Sequence, residues 1–314
     1  MNLKSKNNIK GTLILVLTSL IWGLAFVAQS DASDLIPSFA FNSMRSFVGA
    51  AFLLVVIGLK SLKTKERLIP DDRNERKRML ISGTVCGVFL AISVNLQQVG
   101  LSLYPSGTAS EARAGFLTAL YVILVPIFYA IGGKKVAFPV WIGVLIALGG
   151  IYMLCFSGGL SGVYWGDAMI FLCAVSFTFH ILAIDNLGKN ISGIKLSFIQ
   201  FVVCGIISGI ASLIFEKVSI AEISAAVLQI LYLGIMSSGV GYTLQIIGQK
   251  YAEPAIASMA MSLESVFAAL GGWIIAGNAM SAREIIGGLL VFSAIIIAQL
   301  PQTKKHKNTE KTDA

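Results

Sequence analysis

Glu264 is the side chain of this sequence with the most to offer chemically. It is a carboxyl group set in the apolar run Ser262-Leu263-Glu264-Ser265-Val266-Phe267. Low-dielectric surroundings disfavour the ionised form, so a carboxyl at that place is suited to take up and release a proton. A plain hydrogen-bonded contact between helices is the competing reading. His180, one helical turn after Ser176, has the same two readings: proton relay, or a ring satisfied by a neighbour.

Uncharged polar groups recur at helical spacing. Asn95, Gln98 and Ser102 fall at i, i+3 and i+7; Ser238, Tyr242 and Gln245 fall at i, i+4 and i+7. Each set lines one face of a helix and could bind a solute or bridge two helices. Ser19, Trp22, Phe26 and Gln29 make a third such face. Tryptophan prefers membrane interfaces, so a mid-depth Trp22 points to a cavity wall or a packed contact rather than to lipid. Arg113 and Glu111 are two apart and diverge around their helix, which continues through Thr118 and Tyr121. The candidate solute contacts are therefore Trp22, Asn95, Gln98, Arg113, Tyr121, His180, Tyr242 and Gln245, with Glu264 as the proton-coupling candidate. Arg45 reads as structural, because its counterpart in the repeat described below, Gln200, is uncharged.

Other chemistries lack their residues. The sequence has no nucleotide-binding loop, no His-Glu-x-x-His and no Cys/His cluster; Cys86, Cys155, Cys173 and Cys204 are dispersed. No catalytic centre, cofactor or metal is implied, which disfavours an enzyme or an ATP-driven pump.

What must position these groups is a set of apolar runs. Of the 314 residues, 56% are hydrophobic and 13% charged, and the mean hydropathy is +0.81. A soluble core cannot absorb that much apolar surface. A bilayer can, at about 20 residues per crossing. Spans are expected at 11–29, 36–59, 79–102, 106–131, 137–156, 165–184, 194–215, 223–248, 254–277 and 281–301, an all-α membrane protein of ten helices. Pro37, Pro139 and Pro254 sit at span starts, where the missing N–H costs little; Pro126 lies inside the fourth span and predicts a kink.

The net charge of +8 does not mark a nucleic-acid partner, because the basic residues sort by loop. Twenty of the 24 Lys and Arg fall in alternate loops beginning with the N-terminus. Lys217 and Arg283 occupy the opposite set, and Arg45 and Arg113 lie within spans. By the positive-inside rule this places both termini in the cytoplasm. Residues 304–314 read as a basic, disordered cytoplasmic tail at the lipid surface.

The chain also repeats itself. A shift of 155 lays Gly11 on Gly166, Trp22 on Phe177 and Arg45 on Gln200. A shift of 148 lays Leu96-Gln97-Gln98-Val99-Gly100 on Leu244-Gln245-Ile246-Ile247-Gly248, and a shift of 144 lays Ile142-Gly143 on Ile286-Gly287. Two five-span units result, 1–157 and 158–303. Five is odd, so the second enters the membrane from the opposite side, an inverted repeat suited to alternating access around one central site.

These residues resemble the EamA-type transporters of the drug/metabolite transporter superfamily. The resemblance rests on Ile21-Trp22-Gly23, Arg45-Ser46-Phe47, the run from Phe116 to Pro126 and the run from Ser262 to Leu270, and covers all ten spans. It implies a ten-helix inverted-repeat carrier of the bacterial inner membrane that moves amino acids or other small metabolites without ATP, more often outward. Trp22, Tyr121 and Glu264 would then line a central cavity. Ser265 replaces a proline common in the family, which predicts a straighter ninth span, and Lys134 and Asn278 replace glutamates. The expectation is a secondary transporter with protons as coupling ion; an uncoupled facilitator is the alternative, and a non-transporting scaffold a third reading.

Overall fold

The computed structural model describes residues 3–64, 69–105, 110–155, 163–276 and 281–299. The predicted tail 304–314, the repeat boundary at 157–158 and Asn278 lie outside them. The described chain is helical, without strands: α1 Leu3–Ser33, α2 Ser38–Thr64, α3 Arg73–Ser102, α4 Ser110–Ala119, α5 Tyr121–Ile131, α6 Phe138–Cys155, α7 Trp165–Leu187, α8 Gly193–Phe215, α9 Ile220–Ala225, α10 Val227–Tyr232, α11 Tyr242–Gln249, α12 Pro254–Met261, α13 Glu264–Ala276 and α14 Ala282–Ala298. A π-helical segment, Leu233–Gly241, joins α10 to α11.

Among the described residues nine helical stretches are long and apolar enough to cross a bilayer, the last being Pro254–Gly271. The residues of the tenth expected span form the helix α14, whose 17 residues extend roughly 26 Å at the helical rise and are not among those nine. Burial is distributed as lipid demands. Large apolar side chains such as Leu13, Leu145, Leu213 and Leu289 face outward, whereas Asn42, Gln98, His180 and Gln200 are fully buried. Polar groups inside and leucines outside are what remains when the surrounding solvent is hydrocarbon.

Helix ends follow local chemistry. Asp72 caps α3 by accepting from Glu75 N at 2.8 Å. Ser281 and Glu284 form a capping box on α14, and Pro254 opens α12. The Glu216 carboxylate, at the end of α8, accepts from Phe39 N at 2.8 Å and Ala40 N at 2.9 Å, capping α2 across the bundle. At the opposite membrane face the Lys250 ammonium donates to Ile191 O; burial holds it below the usual lysine range.

Two spans are interrupted at mid-depth. The fourth breaks at Leu120 between α4 and α5, upstream of Pro126. The ninth breaks at Ser262–Leu263 between α12 and α13. Serine in place of proline at 265 therefore does not straighten it: Ser262 and Ser265 supply a tightened turn, with Ser265 N bonded to Ser262 O at 3.3 Å.

Helix packing is reciprocal between the halves. α3 packs on α7, and α1 packs on α11; α4 and α5 pack on α7, and α12 and α13 pack on α1. α2 lies against α8, and α6 against α14. Glycines make the close approaches. A Cβ on Gly11 would stand 2.8 Å from Gly248 O, and one on Gly166 would stand 2.7 Å from Gly100 O. These four glycines are the ones that the repeat shifts lay on each other.

Candidate functional site: a central polar cavity

The interrupted spans meet at a cavity of about 40 Å³ in the middle of the bundle, lined from the first half by Trp22, Phe26, Gln29, Arg45, Gln97 and Tyr121 among others. The second half contributes Phe177, Ile181, Ser237, Tyr242, Gln245 and Glu264. A volume of that size holds one or a few waters. A larger solute enters only when the walls part.

Glu264 is the first residue of α13, and Tyr121 the first of α5. Their positions follow from the two helix breaks, which free the first turn of each second half-helix at mid-depth. The Tyr121 hydroxyl donates to Glu264 Oε1 at 3.1 Å, and both residues are buried. The helix N-terminus and the phenol together offer the carboxyl group a polar environment. Removing the donor by Tyr121→Phe should strand a buried carboxyl oxygen and cost about 1–3 kcal/mol. Thermal unfolding of the purified protein checks this; a midpoint equal to wild type would contradict the bond.

A chain of amides forms the opposite wall. Gln29 Nε2 donates to Gln97 Oε1 at 3.0 Å, and Gln97 Nε2 to Thr118 Oγ1 at 3.2 Å. Arg45 Nη1 reaches Gln29 Oε1 at 3.5 Å, and its guanidinium lies 5.4 Å from the Phe41 ring centre. The aromatic wall is Trp22 against Tyr242, with ring centres 4.6 Å apart. Trp22 Nε1 points to Ser237 O at 3.4 Å in the π-helical segment. A Cβ on Gly241 would stand 2.7 Å from Trp22 Nε1, so glycine is needed where the indole meets that segment.

Of the nine candidate side chains named from the sequence, Trp22, Tyr121, Tyr242, Gln245 and Glu264 line the cavity and four others do not. Asn95 bonds Asn42 and Ser208 between helices. Gln98 donates to Gln29 O. His180 is fully buried, 3.2 Å from Gln200 Oε1, with Nδ1 unpartnered. Arg113 grips Asp167 through Nε–Oδ1 at 3.1 Å and Nη2–Oδ2 at 2.5 Å. The side chain of Glu111 lies outside the described residues. Spacing missed Arg45, Gln97, Phe177 and Ser237. The repeat held a signal for two of them, since it lays Gln97 on Gln245 and Trp22 on Phe177, and all four line the cavity.

The profile of the EamA-like transporter family matches residues 9–156 and 164–299. A transporter of Archaeoglobus fulgidus is 29% identical over 287 residues, covering 91% of this chain and 84% of its own. The inner membrane transporter YedA of Escherichia coli K12 is 24% identical, covering 88% and 87%. The transporter YoaV of Bacillus subtilis 168 is 23% identical, covering 92% and 96%. A crystal structure sharing 19% identity superposes with a TM-score of 0.72 over 92% of this chain and 98% of the other, a likeness of fold.

Proposed function

Since the chain belongs to the EamA-like transporter family and is a multi-pass membrane transporter, we propose that it is a secondary carrier exporting a small polar or amphipathic metabolite, such as an amino acid. In this reading it crosses the membrane ten times, α14 being the tenth span. Units 1–157 and 158–303 are inverted copies, and both termini are cytoplasmic. Trp22, Tyr121, Tyr242 and Gln245 contact the solute, and Glu264 carries the coupling proton.

One observation carries the proposal: the cavity is walled by matched residues of the two halves. Trp22 and Phe177, Phe26 and Ile181, and Gln97 and Gln245 are pairs under the repeat shifts, and all six line it. A site built on a pseudo-two-fold axis can be opened to either side by exchanging the conformations of the halves. The Gly11–Gly248 and Gly166–Gly100 contacts, exchanged by the same operation, support that axis. The burial of Glu264 and its phenolic partner support proton exchange, because a buried carboxyl group with no ion-pair partner can be neutral.

The test is reconstitution in liposomes with an imposed pH gradient. Wild type should accumulate solute against its gradient, and Glu264→Gln should leave only downhill exchange. Transport that runs only downhill and ignores both the pH gradient and the substitution rejects coupling through Glu264 and leaves an uncoupled facilitator.

A further inference from the structure

We propose that Arg45 is the charge-selecting residue of the central cavity and that the transported solute bears a carboxylate. The inference deepens the carrier reading and rests on it.

Arg45 is only 4% exposed, yet it lines the cavity. A guanidinium carries five N–H donors in a planar fork and does not shed its proton in proteins. Here that fork has one long bond to Gln29 Oε1, at 3.5 Å, and a ring face, that of Phe41. The carboxylates in ion pairs lie elsewhere: Asp167 with Arg113 and Asp185 with Lys189. Glu264 lines the same cavity, but its hydrogen bond goes to Tyr121. No carboxylate of the described residues lies within ion-pair distance of Arg45.

Buried charges are ordinarily paired, because an unpaired one is costly. A guanidinium open to a polar chamber is instead compensated by what enters the chamber. The planar fork matches a carboxylate bidentately, which an amide or hydroxyl cannot reproduce. Part of the remaining wall, Trp22, Phe26, Phe177, Ile181 and Tyr242, suits an apolar portion of the solute, beside polar groups such as Gln97 and Gln245. Selection is therefore for a carboxylate at the Arg45 end, with an uncharged form of the same solute rejected because it leaves the guanidinium uncompensated.

The experiment measures binding to the purified full chain by ligand-dependent thermal stabilisation. The probes are matched acids and primary amides: L-leucine and L-leucinamide, L-phenylalanine and L-phenylalaninamide, hexanoate and hexanamide. At least one acid should bind wild type, its amide should bind about 30-fold more weakly or worse, and R45Q should weaken the acid by the same factor while leaving the amide unchanged. R45K should retain part of the acid preference. Amides binding as tightly as acids, an R45Q protein with undiminished acid affinity, or no acid binding at all overturns the proposal. If R45Q fails to fold, R45K decides, since affinity equal to wild type removes the bidentate contact. Liposome flux of the bound acid is then measured separately. Arg45-dependent binding without flux defeats the carrier reading and leaves the anion site standing.

Discussion

Asp167→Asn is expected to lower the unfolding midpoint of the purified protein by several degrees. Arg113 is 5% exposed. It holds Asp167 with two parallel bonds, while the Tyr104 hydroxyl donates to Asp167 Oδ1 at 2.8 Å and Tyr164 N to Oδ2 at 2.9 Å. The Tyr164 ring lies 4.9 Å from the guanidinium. Burial and the adjoining carboxylate push the Tyr104 phenol above its ordinary range, so it stays a donor. Removing one partner of a fully buried pair costs on the order of 3–5 kcal/mol, which is the upper bound for this part-buried one. Asparagine keeps the shape of aspartate and loses the charge and one acceptor, which isolates the electrostatic part. Asp167→Glu should recover some of the loss. A midpoint for Asp167→Asn unchanged from wild type would mean that the pair contributes no net stability.

Gly150→Leu should be more damaging still. A Cβ at Gly150 would stand 2.6 Å from Gly287 O, and one at Gly287 would stand 2.6 Å from Gly150 O. The obstruction is backbone, so no rotamer relieves it, and α6 and α14 must separate. Their crossing holds Val144, Ala147 and Ile151 against Val291, Ala294 and Ala298 in one buried cluster. Overpacking typically costs about 1–3 kcal/mol, and parting a whole crossing exceeds that range. The expected outcome is loss of the monodisperse peak in size-exclusion chromatography. Gly149→Leu is the control, because nothing lies within 4 Å of its Cβ position. Equal behaviour of the two variants would refute the packing argument.

The membrane class was legible because it depends on a sum over many residues, which no single contact overrides. The proposed duplication draws on a second kind of signal. Its glycine matches mark positions where two backbones approach closely, and only glycine fits there. The cavity wall was harder to read. Helical spacing in the third span selects Asn95 and Gln98, yet the chamber is faced by Gln97, about 100° around the helix. Periodicity gives a polar face but cannot say whether it meets a helix or a void. An uncharged repeat counterpart suggests a structural role for Arg45, but it carries no information on whether the side chain meets a void, and Arg45 lines the cavity. The break at Ser262–Leu263 had no proline to announce it, and the π-helical segment had only Gly234, Gly239 and Gly241, which equally fit close packing.

The proposed repeat leaves one feature without its twin. Beside Gly100 and Gly166 stands the Arg113–Asp167 pair with Tyr104 and Tyr164. Beside Gly11 and Gly248, at the equivalent place on the other face, stands an exposed Lys10 whose ammonium lies 4.5 Å from the Tyr251 ring centre. Such an exposed cation–ring contact contributes about 0.5–1 kcal/mol. If the proposed carrier rocks between two shapes related by a pseudo-two-fold axis, unequal clasps tilt its resting distribution. The empty protein would dwell with its Asp167 rim shut and its lysine rim the easier to part, collecting cargo from the compartment that the lysine rim faces.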